Sequence, residues 1–521
     1  MKTSLRVLSL GAALLLAFSS AGAVSVDDAI TELDLEKARR LLDGAKGDAE
    51  SLGLTRARLA LYAGECDLAQ AQLSSPTLGE SREGAPLRAI AESCARATAA
   101  GFVVEDKARG IVLRLQDDAD RVLAPFVFDV AAKARDALRR DLGTELPRPL
   151  RIDLVRDLFS LSAVSGLPLK AAETTGTLAV ARWGRIIMLT PRATPQGFPW
   201  QDTLAHELTH LCVTRATRDN APLWLQEGVA KREESRWRAA RPFDDPTWAD
   251  VMARQALESG RSVGIDNLGP SIAMLPTPEQ ASIAYAEVSS FVTHFVAVSG
   301  RPALELLFVD MKGTRRSKAD STLVSVSGYD LSEWNRLWQA ALLEVPPRDP
   351  RAERGVLPRT KNPRELAKRT RLGDLLSERG ADKAALALYD EALALGPSEP
   401  WVRFQAAWAS LGVPDGDDKG WRSRLGEIGK VRGAHGGWLA LEGRRQREDG
   451  ASADALTTQE HALGLDPLSE EVACEGQRST KTAAAAWPAN PDRRKLCEAV
   501  RSSNTNAAYD AEKTNEPNRA K

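Results

Sequence analysis

The chain has 521 residues, room for roughly three or four domains of ordinary size. Its 70 Lys and Arg balance 71 Asp and Glu, leaving a net charge of −1. That balance excludes a global basic field for nucleic acid. The sequence also carries no G-x-S-x-G elbow and no P-loop, which argues against serine-hydrolase and nucleotide-hydrolysing chemistry.

Residues 1–23 read as a signal peptide. Lys2 and Arg6 supply its positive start, Val7 to Phe18 its apolar stretch, and Ala21-Gly22-Ala23 an A-x-A cleavage site, so the mature chain is expected to begin at Val24. The apolar stretch is short for a membrane anchor, and no cysteine follows the cleavage site as a lipoprotein would need. Export to the periplasm or the medium is the expectation, with no membrane span in the mature chain. Residues 24–100 are Ala/Leu-rich with helical periodicity, and Leu61 to Ala71 resembles the turn of a helix-turn-helix repeat. Cys66 and Cys94 lie in this part, Cys474 and Cys497 near the C-terminus. In an oxidising compartment each pair is expected to form a local disulfide.

Residues 101–345 mix strand and helix signals. Leu150–Val155 alternates like a strand, and Thr177–Val180 with Arg185–Thr190 reads as a hairpin about Trp183-Gly184. A helix follows, with Pro199 in its first turn and Leu204, Leu208 and Leu211 on its apolar side. It carries His206-Glu207-Leu208-Thr209-His210. Residues i and i+4 share a helix face, so two imidazoles here can bind one zinc ion and leave room for a third ligand and a water. Glu207 can stand beside that water and take its proton. Arg218-Asp219-Asn220 marks a loop. Asn220 is expected to cap a second helix that has Pro222 in its first turn and Glu227 facing the histidines. Cys212 sits about 200° around the first helix from His210 and reads as a buried free thiol.

His206–His210 followed by Trp224-Leu225-Gln226-Glu227-Gly228-Val229-Ala230 resembles the gluzincin group of zinc metallopeptidases, most closely the peptidase MA-like bacterial proteins. The resemblance implies zinc on His206, His210 and Glu227, with Glu207 as general base. It also implies an edge strand that pairs with an extended peptide, for which the hairpin before the motif is the candidate. Many gluzincins place an aspartate four residues after the zinc glutamate to support a ligand histidine; here that position is Lys231, so the outer shell must be built differently. Lys231-Arg232-Glu233-Glu234-Ser235-Arg236 reads as a solvated helix face. Tyr285 resembles the tyrosine that aminopeptidase-like gluzincins use to steady the oxyanion; the alternative is a core tyrosine bonded to backbone. His294 points about 180° away from Tyr285 on the same helix, and His294, His435 and His461 read as surface or structural residues.

Residues 346–364 make a proline-rich linker. In 365–500, Leu372-Gly373, Gly380, Ala385, Tyr389, Ala392 and Pro397 match the tetratricopeptide template. Gly443, Gly450, Ala455, Ala462 and Pro467 repeat those offsets seventy residues on, so a degenerate repeat is expected between them. Such arrays offer a surface for protein partners, although plain helical hairpins without a partner would read the same way. Residues 501–521 read as a disordered tail. The expectation is therefore an α+β, zincin-like metallopeptidase domain between two α-helical, TPR-like repeat regions. It would be an exported Zn²⁺ enzyme acting on peptides or proteins, with Glu207 and Tyr285 catalytic; the alternative is an inactive zinc-domain scaffold that binds them.

Overall fold

A computed structural model describes residues 25–194, 197–241, 244–313, 319–346, 362–396, 399–413, 420–426, 435–475 and 491–514. The expected signal peptide and residues 347–361 of the expected linker lie outside these residues, as does Pro397. At the centre is one mixed sheet of five strands: β1 (Phe102–Asp106), β2 (Ile111–Leu115), β3 (Leu150–Val155), β4 (Ala179–Arg182) and β5 (Arg185–Leu189). The spatial order is β1-β2-β3-β5-β4. β1 and β2 are antiparallel, β2–β3 and β3–β5 are parallel, and β4 runs antiparallel to β5 at the edge.

The parallel pairings need long crossovers, and helices supply them. Helix Ala124–Leu142 links β2 to β3, and helices Leu158–Ser165 and Leu169–Thr175 link β3 to the hairpin. β5 is buried along its whole length, matching its aliphatic run. The β4–β5 turn puts both Trp183 and Gly184 at positive φ, 55° and 66°. Two left-handed residues in a two-residue turn match the twist of the flanking strands. The hairpin precedes the helix that carries the two histidines, and its edge strand β4 packs beside that helix.

The Cys66–Cys94 disulfide ties the N-terminal helices Cys66–Gln72 and Gly84–Thr98, and helix Ala49–Ala63 packs against them. Arg185 anchors them to the sheet from its start on β5. It is fully buried, lies 3.2 Å from Asp153, and donates to the Leu61 carbonyl. Arg114 on β2 donates to the Gly64 carbonyl alongside it.

After residue 362 the chain forms helix pairs Pro363–Ser377/Asp382–Leu395, Pro400–Gly412/Gly420–Leu425 and Gly436–Glu448/Ser452–Leu465. Gly373 lets the first pair close up: a Cβ there would stand 2.6 Å from the buried Tyr389 ring. The last pair sits on the first turn of helix Trp200–Thr217. The Trp200 indole donates to the Leu463 carbonyl, and the Phe198 amide donates to the Leu465 carbonyl. The second disulfide joins Cys474 to Cys497 in the final helix, Pro491–Thr514. That helix continues to Thr514 through part of the stretch whose composition suggests disorder. The segment contains no Pro or Gly before Thr514, and extending an anchored helix is far easier than nucleating one. Cys212 is buried and free, and burial pushes its thiol up to about 12. Two disulfides fit an exported protein. Among the described residues one helix, Pro278–Ser299, is long and apolar enough to cross a membrane, and its Ala284, Val288, Phe291, Val292 and Phe295 are packed in the core.

Candidate metal centre

Helix Trp200–Thr217, capped by Pro199, carries His206, Glu207 and His210. It ends where Arg218 and Asp219 take left-handed φ values of 51° and 60°. The second helix, Leu223–Glu233, begins one residue after Pro222, which occupies the capping position itself. Asn220 therefore does not cap it; its amide bonds back to the Thr217 carbonyl and belongs to the end of the preceding helix. A prebuilt proline φ serves this start in place of a side-chain cap.

The residues around Glu227 set its depth. A Cβ on Gly228 would lie 2.4 Å from Val292 Cγ2 and 2.5 Å from the Val288 carbonyl of helix Pro278–Ser299. Only glycine permits that approach. Trp224 packs edge-on against Phe291 of the same helix, with ring centroids 5.2 Å apart. Glu227 is thereby pressed against the histidines.

Three ligand atoms converge. His206 Nε2 and His210 Nε2 are 3.2 Å apart, and Glu227 Oε2 lies 3.6 Å from the first and 3.5 Å from the second. A tetrahedral ion with bonds of about 2.0–2.1 Å separates its ligand atoms by about 3.3 Å. The triangle therefore has the size of one zinc site. Glu227 Oε2 is also buried without a hydrogen-bond partner. Lone pairs facing one another in a buried site are unfavourable unless a cation joins them. The residues present fit a divalent ion with two imidazoles and one carboxylate.

The outer nitrogens are held as well. His210 Nδ1 lies 3.3 Å from Gln226 Oε1, and Gln226 Nε2 donates to Thr214 Oγ1, which fixes the direction of the amide. His206 Nδ1 lies 3.4 Å from Glu234 Oε2. Glu234 is in turn bonded by Lys231 Nζ at 2.7 and 2.8 Å. Lys231 and Glu234 are thus not part of a solvated face. The same run also contains Glu233, which is 3% exposed and paired with Arg232 and Arg236. The charge run is the half-buried end of the ligand helix, with its groups paired on two sides.

The electrostatics follow the same geometry. Burial pushes Glu227 up, but the facing His210 and His206 outweigh it and hold the carboxyl well below its usual range. Burial pushes His206 down, but Glu227, Glu234 and Glu207 outweigh it and raise the imidazole to about 9. Glu207 is raised by burial, against the pull of His210 and His206. Tyr285 is raised well above 10 by burial and by Glu227, Glu207 and Glu234. Its phenol stays protonated, a hydrogen-bond donor at neutral pH.

The triad lines a cleft of about 700 Å³. The hairpin edge, Thr177 to Ala181, and Tyr285 both line it, and the Tyr285 ring centroid lies 6.2 Å from that of His206. Glu207, His206, His210, Glu227 and Tyr285 all line the cleft. The structure brings together every site residue expected from the sequence. Sequence reasoning missed Gln226 and Glu234. Gln226 adjoins Glu227, and Glu234 follows it by seven residues, so helical spacing was the available signal. The other histidines lie elsewhere: His294 packs on Trp334, and His435 caps helix Gly436–Glu448, while burial pushes His461 down to about 3.

The Peptidase MA superfamily model matches residues 131–344. No curated protein and no solved structure matches the chain. The family match covers the whole candidate centre, supports a peptidase MA-like family and suggests a peptidase.

Proposed function

We propose that this chain is an exported zinc-dependent metallopeptidase. The observation that carries the reading is the set of three ligand atoms at zinc spacing, with Glu207 beside them and a strand edge along the same cleft. Its His206, His210 and Glu227 would hold the ion. A zinc bound there supplies Lewis acidity, lowering the pKa of its water toward about 7 and polarising a carbonyl.

The chain's own residues do the rest. Glu207, next to His206 and not itself among the ligands, takes the proton of the attacking water and passes it to the leaving amine. Tyr285 donates its phenolic hydrogen to the oxyanion that forms. The outer edge of β4 pairs with an extended peptide and presents its carbonyl to the centre. The helix pairs after residue 362 are TPR-like and offer a surface for a protein partner.

The test is a mixed peptide library incubated with the purified protein, with and without a chelator. Cleavage that the chelator abolishes and zinc restores supports the reading. No cleavage by the zinc-loaded protein overturns it and leaves a zinc-domain scaffold that binds without cutting.

A further inference from the structure

We propose that Glu234 is the positioning residue for His206, tethered in place by Lys231, so that an ion pair two turns down the ligand helix does the work of the carboxylate that many gluzincins carry at the position of Lys231. The inference rests on the metallopeptidase reading and deepens it.

The placement follows from helical spacing. Glu227, Lys231 and Glu234 fall at i, i+4 and i+7, which share one face of the helix. The charge run divides about the helix. Arg232 and Arg236 turn to Glu233 and Asp141, whereas Lys231 and Glu234 turn into the cleft. Glu234 binds Lys231 with both oxygens, and its Oε2 also lies 3.4 Å from His206 Nδ1.

That contact has a defined chemical effect. Nε2 of His206 is the atom in the ligand triangle, so it must carry the free lone pair, and Nδ1 must carry the hydrogen. A carboxylate accepts and never donates, so Glu234 selects that tautomer and fixes the ring plane. Gln226 Oε1 does the same for His210. A carboxylate alone here would join Glu207 and Glu227 as a third anion in the cleft. Lys231 offsets that charge and holds both oxygens, leaving the acceptor and not the net charge as the functional element. Its ammonium also stands 5.7 Å above the Tyr285 ring, within cation–π range, which ties the ion pair to Tyr285.

The experiment measures zinc affinity of the full chain by competition with a chromophoric chelator, alongside circular dichroism. Glu234→Ala is expected to weaken zinc binding about 10–100-fold, the usual effect of losing such a partner. Glu234→Gln, which keeps an acceptor oxygen, is expected to restore most of that loss. Unchanged affinity in Glu234→Ala overturns the assignment, and so does an equal loss in both variants. If the unsubstituted protein takes up no zinc, the metallopeptidase reading itself falls and this inference with it. If it binds zinc and Glu234→Ala binds equally well, only the inference falls.

Discussion

Replacing Glu207 by Gln isolates the proposed base from the proposed ligands. Glu207 is 7% exposed and lines the cleft, yet it is not one of the three groups whose ligand atoms converge. Glutamine keeps its size and one acceptor oxygen, so zinc content should stay at the wild-type level. What disappears is the group that accepts a proton from water. Loss of a general base lowers rate by about 10²–10⁴, which is about 3–5 kcal/mol on the barrier at 1.36 kcal/mol per decade. Tyr285→Phe removes one oxyanion donor and should lower turnover by about 10²–10³, again at full zinc. The assay pairs peptide-cleavage rates with metal analysis of the same preparations. Full activity in Glu207→Gln at unchanged zinc would refute the mechanism.

Arg185→Met should destabilise the fold by about 3 kcal/mol, the low end for breaking a buried ion pair, because Asp153 keeps Arg114 3.8 Å away. A thermal melt should fall by about 6–12 °C, with most of the loss recovered in Arg185→Met/Asp153→Leu; an unchanged melt would contradict the anchoring role of Arg185. Burial pushes His435 down to about 4 while its Nδ1 accepts the Trp438 amide. The unfolded chain takes up a proton near pH 6.5 that the folded chain refuses. Stability from this residue is therefore full above about pH 6.5 and declines as pH falls toward 4, by up to about 3 kcal/mol in total. His435→Asn retains a capping acceptor and should flatten the pH dependence of unfolding between pH 7 and 4; an identical slope in the variant would remove His435 as its source.

The candidate site was legible where its chemistry is local. His206, Glu207 and His210 are held by helical spacing alone, and Glu227 by a glycine and a tryptophan whose roles the packing explains: Gly228 admits the Val288–Val292 backbone turn, and Trp224 meets Phe291. Helical spacing put Glu234 on the face of Glu227, but a mixed charge run looks the same in sequence whether it meets water or a cleft. Its partner His206 is twenty-eight residues away, and only the close pairing of the two helices brings them together. Leu463 and Leu465 dock at the start of the histidine helix through their backbone carbonyls, across more than 260 residues, and backbone carbonyls leave no mark on residue type. Strand β3 and the hairpin were readable from alternation and from the turn at Trp183-Gly184. The final helix runs past Cys497 to Thr514, into the first part of a stretch whose composition suggests disorder, because composition reports the absence of a core whereas a helix propagates readily from an anchored segment.

The central claim is that His206, His210 and Glu227 hold one metal ion. Elemental analysis of the purified chain beside His206→Ala and His210→Ala tests it most directly. About one zinc per chain is expected in the unsubstituted protein, as three protein ligands and a water imply, with most of it lost from each variant. Metal content unchanged in both variants would contradict the assignment.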